Sequence, residues 1–259
     1  MEHRMFFTVK IIPALAVLFL SCRKQEVPQT AAVPETHNIP ALRRYLSGAI
    51  GAPPDSVVYD PQERQFVLEG DGCVSLEDAL LRFPEEGAAS GVNTTAQQEH
   101  YFRVVPARAN NINLYADATV PAAWLAALDS AIASWNRTGS GVYMRRLRRP
   151  AGATTRVSSN ASSSSTIASA DYPDYYGNPG RRITINTRYN GLEATKKRFA
   201  MTHELGHTIG LAHTNSNWGY NISGTPAKDG ASVMNATVRG WSRFTAYDLK
   251  AVRTLYPRR

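Results

Sequence analysis

The chain has 259 residues, 43% of them hydrophobic, enough to bury one good-sized core plus an appendage. Its net charge of +8 would ordinarily prompt a nucleic-acid reading, but the densest basic cluster, Arg145, Arg146, Arg148 and Arg149, has no aromatic interleaving and no recognised module around it. A solvated strand face explains it better, with attraction to acidic surfaces or substrates as the alternative, so nucleic acid is not expected as a partner. Only 2 cysteines are present, Cys22 and Cys73; if Cys22 carries a lipid, Cys73 has no partner, no disulfide framework exists, and stability must come from the core and a metal.

At the N-terminus, Arg4 and Lys10 precede an apolar run over 11–20, too short to span a bilayer comfortably and followed directly by Ser21 and Cys22. Residues 1–21 read as a signal peptide. The Ser21-Cys22 junction resembles a bacterial lipoprotein processing site, with Cys22 as the lipid-bearing first residue of the mature chain; Phe19 departs from the Leu usual three residues before it. With Arg23 rather than Asp next, the resemblance favours the outer membrane or cell surface, and plain secretion is the alternative. Nothing further along is long and apolar enough to span a membrane, so the expected membrane contact is the lipid at Cys22 alone.

Residues 22–40 are rich in Pro, Thr, Ala and Gln and read as a flexible tether. A small segment over 41–98 comes next. It contains a helix around 42–50, strands over 56–59 and 65–69, a turn at Gly70-Asp71-Gly72-Cys73, a helix over 75–83 and a loop over 87–98. Too small for a convincing core of its own, it is expected to dock on the larger C-terminal part of the chain.

The rest, 99–259, reads as one domain, and the protein is expected to be a monomer. A strand over 112–115 leads to a helix opened by Pro121, in which Trp124, Leu128, Ile132 and Trp135 repeat at helical spacing as core residues. Strands over 142–148 and 154–158 precede a polar loop over 162–165. Asp171, Tyr172, Asp174 and Asn178 crowd the next loop, where oxygens at this density could hold a structural Ca2+ or simply form a surface turn. A strand over 183–187 enters a long helix from about 194 to 211, and a last helix starts near Thr245 with Asp248 helping to cap it, burying Leu249, Val252 and Leu255.

The long helix carries His203-Glu204-Leu205-Gly206-His207-Thr208-Ile209-Gly210-Leu211-Ala212-His213, the pattern H-E-x-x-H-x-x-G-x-x-H. On a helix, positions 203 and 207 lie about 40° apart and one turn along, so both imidazoles reach one ion. His213, rotated roughly 240° from His207, cannot join unless the helix stops. Gly210 allows that, because a residue without a Cβ enters a left-handed conformation at a helix end. Three imidazoles leave a fourth position open, the catalytic rather than the structural zinc arrangement, and Glu204 stands beside it as the general base. Of the 6 histidines only His37 and His100 remain outside this motif and the signal, too few for a second cage.

This run resembles the extended zinc signature of the metzincin metallopeptidases, and with Gly224-Thr225-Pro226 and Ser232-Val233-Met234-Asn235 it is similar to the bacterial dual-action HEIGH metallopeptidases, with Leu205 where that name implies Ile. The resemblance implies an α+β fold: a twisted mixed sheet packed on the zinc helix and a second long helix, with a small C-terminal subdomain after the third histidine. It implies a Met turn at Met234 beneath the metal, and a strand at 183–187 forming the sheet edge where substrate adds as an antiparallel strand. It further implies one catalytic zinc and hydrolysis of extended proteins or peptides. Ala236 stands where some metzincins have a Tyr ligand, leaving the oxyanion-stabilising group open. Prosegments in this clan often cap the zinc with a thiolate or carboxylate, and Asp71 and Cys73 both offer one; a plain turn is the alternative. Two rival functions stay open: a non-catalytic zinc-containing binding or adhesive module, and an amidase acting on cell-wall peptides.

Overall fold

A computed structural model describes residues 38–83, 99–100, 102–215, 219–226 and 228–258. The signal run, Cys22, His37 and the 87–98 loop lie outside the described residues. Helix α1 (Ile39–Ile50) starts inside the stretch read as tether, because Asn38 caps it by accepting from the Ala41 N–H at 3.1 Å and Pro40 sits in its first turn. Strands β1 (Val57–Asp60), β2 (Gln65–Leu68) and β3 (Gly72–Ser75) then form an antiparallel meander, with Phe66 opposite Tyr59 and Val74. Helix α2 (Leu76–Arg82) is capped by Ser75. Residues 72–73 are thus strand, not turn; the turn is confined to 69–71, where Glu69 and Gly70 take positive φ of 55° and 96°.

Beyond this segment come β4 (Glu99–His100), α3 (Pro106–Ala109), β5 (Ile112–Ala116), α4 (Ala122–Trp135), β6 (Met144–Leu147), β7 (Thr155–Asn160), β8 (Ala168–Asp171), β9 (Arg182–Asn186), α5 (Ala194–Thr208), β10 (Tyr220–Asn221) and α6 (Ala246–Leu255). The main sheet has eight strands in the order β1-β2-β3-β8-β9-β7-β5-β6, while β4 and β10 pair apart from it. β5, β6, β7 and β9 are mutually parallel, β8 is antiparallel to β9, and β3 joins β8 in parallel. The class is α+β with a mixed sheet.

Two long helices cover one face of the sheet. Trp124, Leu128 and Trp135 of α4 and Phe199, Met201 and Leu205 of α5 are buried against Leu114, Val157, Ile183 and Ile185. The buried indoles also satisfy their N–H groups, Trp135 on Thr202 O at 3.0 Å and Trp124 on Asn190 Oδ1 at 2.8 Å, which fixes α4 against α5 and the loop before it. On β6, Arg145 and Arg146 are exposed, Arg146 paired with Asp129 at 2.6 Å.

The N-terminal segment is built into this frame. Leu42, Leu46, Phe66, Leu68 and Leu76 form a second core that closes on Tyr172 and Ala212 from beyond the segment. Arg82 donates to Pro173 O at 2.8 Å and lies 3.7 Å over the Phe102 ring, Asp78 accepts from the Tyr175 N–H, and Arg182 links Asp171 at 3.1 Å to Gln65 at 2.6 Å. Asn38–Arg259 therefore make one compact unit.

One expectation about the sheet is corrected. The strand entering the zinc helix, β9, is internal, flanked by β7 and β8. The strand next outward is β8, whose Ala-Ser-Ala-Asp sequence lacks the β-branched and aromatic residues that mark strands and is held by its neighbours instead. Its outer side is already taken by β3: Ala170 N donates to Asp71 O at 3.0 Å and Tyr172 N to Cys73 O at 2.8 Å.

Candidate metal centre

Helix α5 is buried along almost its whole second half, so its ligands project from a fixed rod. It stops in a Schellman arrangement: Gly210 N donates to His207 O at 2.8 Å, Leu211 N to Gly206 O at 3.0 Å, and Gly210 has φ of 98°. The hydroxyl of Tyr256 ties down the turn by donating to Ile209 O at 2.5 Å while accepting from Val104 N at 3.0 Å. Turning there, the chain returns His213 to face His203, with their Nε2 atoms 3.1 Å apart.

Each α5 imidazole is oriented by a backbone carbonyl on its far nitrogen. His203 Nδ1 meets Val233 O at 2.7 Å and His207 Nδ1 meets Leu211 O at 2.8 Å. The first of these carbonyls belongs to the Met234 turn, which Asp248 holds by accepting from Ser232 Oγ at 2.5 Å and Val233 N at 3.2 Å while also closing the capping box of α6 with Thr245. Met234 itself lies directly beneath α5, since a Cβ at Gly206 would collide with its Sδ and come within 3.0 Å of its Cε.

Asp71 completes the group. Its Oδ1 lies 3.1 Å from His213 Nε2 and 3.4 Å from His207 Nε2, and its Oδ2 3.4 Å from His203 Nε2. Ligand atoms of these four residues all lie within 4.8 Å of one another, the one such group of three or more metal-ligating side chains among the described residues. Of the two capping candidates, Asp71 is brought to the histidines and Cys73 is not. The Cys73 thiol is buried in β3 and donates to Asp71 O at 3.7 Å, and burial with the nearby Asp171 charge pushes it well above the ordinary thiol range, so it stays protonated.

The donor set fits a zinc ion. Nδ1 of His203 and of His207 donates to a carbonyl, so the neutral form of either ring turns an Nε2 lone pair inward, toward an equally electron-rich carboxylate. Asp71 Oδ1 and His207 Nε2 are buried without a hydrogen-bond partner despite their proximity. Acceptors converging without a donor need a cation between them. Burial and repulsion from His203 hold His207 down to about 4, so it is neutral and ready to ligate at pH 7. Burial acts to raise the Asp71 carboxyl, but the three histidines around it, His213 foremost, outweigh burial and hold it well below the ordinary carboxylate range. His203, His207, His213 and Asp71 would hold the ion.

Glu204 is buried on the same helix, its Oε2 without a hydrogen-bond partner. Burial first and the Asp71 charge second push its carboxyl well above the usual range. A cavity of about 220 Å³ beside it is lined by Glu69, Asp71, His203, Ala200, Asn235 and Val238 among others. The Asp171, Asp174 and Asn178 oxygens are committed within the protein: Asp171 to Arg182, Asp174 to the Asn178 N–H and side-chain amide, both at 2.8 Å, and Asn178 Oδ1 to Arg108 at 2.8 Å.

The model of the dual-action HEIGH metallo-peptidases matches residues 68–217, more than half of the chain. The chain belongs to that family. It is therefore a zinc metallopeptidase, and the matched stretch begins in β2, so it takes in Glu69 and Asp71 as well as the three histidines. Among solved structures the chain is similar to myroilysin, at 16% identity over 57% of this chain and 93% of that one with a TM-score of 0.42. It is similar also to high choriolytic enzyme 1, a hatching enzyme zinc-protease from Oryzias latipes, at 13% identity over 61% and 94% with a TM-score of 0.42. No curated protein matches it.

Glu69 was not singled out by sequence. It ends an apolar strand ahead of Gly-Asp-Gly, where a charged side chain reads as the start of a solvent turn, yet its side chain is 3% exposed and reaches His213.

Proposed function

We propose that this metallopeptidase is an endopeptidase of extended polypeptides, with Glu204 as its general base, and that Asp71 and β3 hold it latent. The observation that carries the reading is the carboxylate of Glu204 buried beside three convergent imidazoles, with a cavity next to it. When bound, zinc supplies Lewis acidity toward the scissile carbonyl and lowers the pKa of water toward neutrality. Glu204 takes the proton from the attacking water and returns it to the leaving amine nitrogen. An extended peptide binds by adding a strand to β8, using the Ala170 and Tyr172 N–H groups.

Those two N–H groups now donate to Asp71 O and Cys73 O, and the Asp71 carboxylate lies beside all three imidazoles, where it would be the fourth ligand. Substrate and the 71–73 segment are mutually exclusive on both counts. Asp71→Ala should raise the activity of the full-length chain on casein and peptide libraries without any cleavage of the chain. A fall in both activity and zinc content would mean that Asp71 is a permanent ligand, and would sink latency.

Glu204→Ala should keep zinc near one per chain while turnover falls by about two to four orders of magnitude. Near-normal proteolysis by Glu204→Ala would refute its role as base. Zinc without turnover after activation would favour a binding module, and cleavage of cell-wall peptides but not casein would favour an amidase.

A further inference from the structure

All three imidazoles of the centre have an oxygen near their outward nitrogen. For His203 and His207 it is a carbonyl of the surrounding frame, Val233 O and Leu211 O. For His213 it is a side chain from the N-terminal segment: Glu69 Oε2 lies 3.7 Å from Nδ1 and accepts from the His213 backbone N–H at 3.5 Å. Both side chains are 3% exposed, so this contact is shielded from solvent.

The backbone at Glu69 is unusual. Its φ of 55° is a left-handed conformation, in which a residue with a Cβ is strained and Gly or Asn is preferred. Turn chemistry alone would place glycine at such a position, as it does at Gly70 next along. A strained residue carrying a buried carboxylate is the pattern of a side chain retained for what it contacts.

We propose that Glu69 is a positioning residue of the metal centre, orienting the His213 ring and raising its basicity as a ligand, so that the N-terminal segment completes the zinc site as well as covering it. This rests on the zinc reading of the His203, His207 and His213 cluster. Outer-sphere carboxylates fix the ring orientation and tautomer of a ligating histidine, and losing one weakens metal affinity by about 10 to 100-fold.

The distinguishing variant is Glu69→Gly, which removes the carboxylate and relieves the backbone at once. Zinc affinity of the full chain would be measured by competition with a chromophoric chelator, and thermal unfolding on the metal-free protein. Glu69→Gly should bind zinc about 10 to 100-fold more weakly while metal-free unfolding temperature holds or rises. Glu69→Gln, which keeps an acceptor oxygen at the same reach, should recover part of that loss. Wild-type affinity in Glu69→Gly would overturn the proposal, as would an affinity loss matched by lower metal-free stability, which would mark a structural role. Failure of wild-type protein to bind zinc at all would instead remove the reading of the site, and this proposal with it.

Discussion

Gly210→Ala tests the turn on which the third ligand depends. At φ of 98° a residue with a Cβ costs about 1 to 2 kcal/mol in left-handed strain. The added Cβ would also be driven into the carbonyl oxygen of Phe102 and lie 2.8 Å from its carbonyl carbon, a collision with backbone that no rotamer change relieves. Forced overpacking of this kind costs roughly 1 to 3 kcal/mol more. The combined loss of about 2 to 5 kcal/mol should lower the melting temperature by roughly 5 to 20 °C for a unit of this size. Because the collision is in the fold, calorimetry should show this loss in chelated as well as zinc-loaded protein. Zinc affinity should fall in addition, since His213 follows three residues on. Gly48→Ala is the control: it sits inside α1 with nothing within 4 Å of its new Cβ, and should be neutral or stabilise by up to about 1 kcal/mol. Should Gly210→Ala melt within about 2 °C of wild type and retain its zinc, the third ligand does not depend on a glycine-only turn.

His213→Ala should lower zinc content and thermal stability together, as metal binding stabilises the fold it requires, with metal read by atomic emission and unfolding by calorimetry. Acid should destabilise the metal-free protein through His207: the unfolded chain takes up a proton near the ordinary 6.5 while the folded chain resists until about 4. Stability from this group is full above pH 6.5 and is lost as pH falls toward 4, by roughly 3 kcal/mol. Glu204, pushed up by burial and Asp71, acts in the opposite sense, so urea titrations should be run in Glu204→Gln, where a flat profile from pH 7 to 4.5 would contradict the assignment. Cys22→Ser should abolish acylation and membrane association, and mass spectrometry finding an unmodified N-terminus elsewhere on membrane-extracted protein would exclude the anchor.

What the sequence determined is the local chemistry. The spacing of His203, Glu204 and His207, the glycine that ends the helix and the capping of α6 by Thr245 and Asp248 are written in near neighbours, because helix geometry and caps act over a few residues, while the Met234 turn was legible through the family resemblance. Most strands and helices were legible for the same reason. The helix at Ile39 could have been placed too, from Asn38 and Pro40. Tertiary structure alone decided which strand lies where. β3 and β8 have little strand character of their own, and Gly-Cys-Val-Ser and Ala-Ser-Ala-Asp, each held on one side by a strand nearby in the chain, pair with each other across nearly 100 residues. Their pairing carries Asp71 to the histidines, places Cys73 apart from them and moves β9 into the sheet interior. It also sets the Glu69 carboxylate beside His213 across 144 residues of chain. Periodicity carries no record of such pairings, because they are fixed by packing between two cores rather than by any rule along the chain.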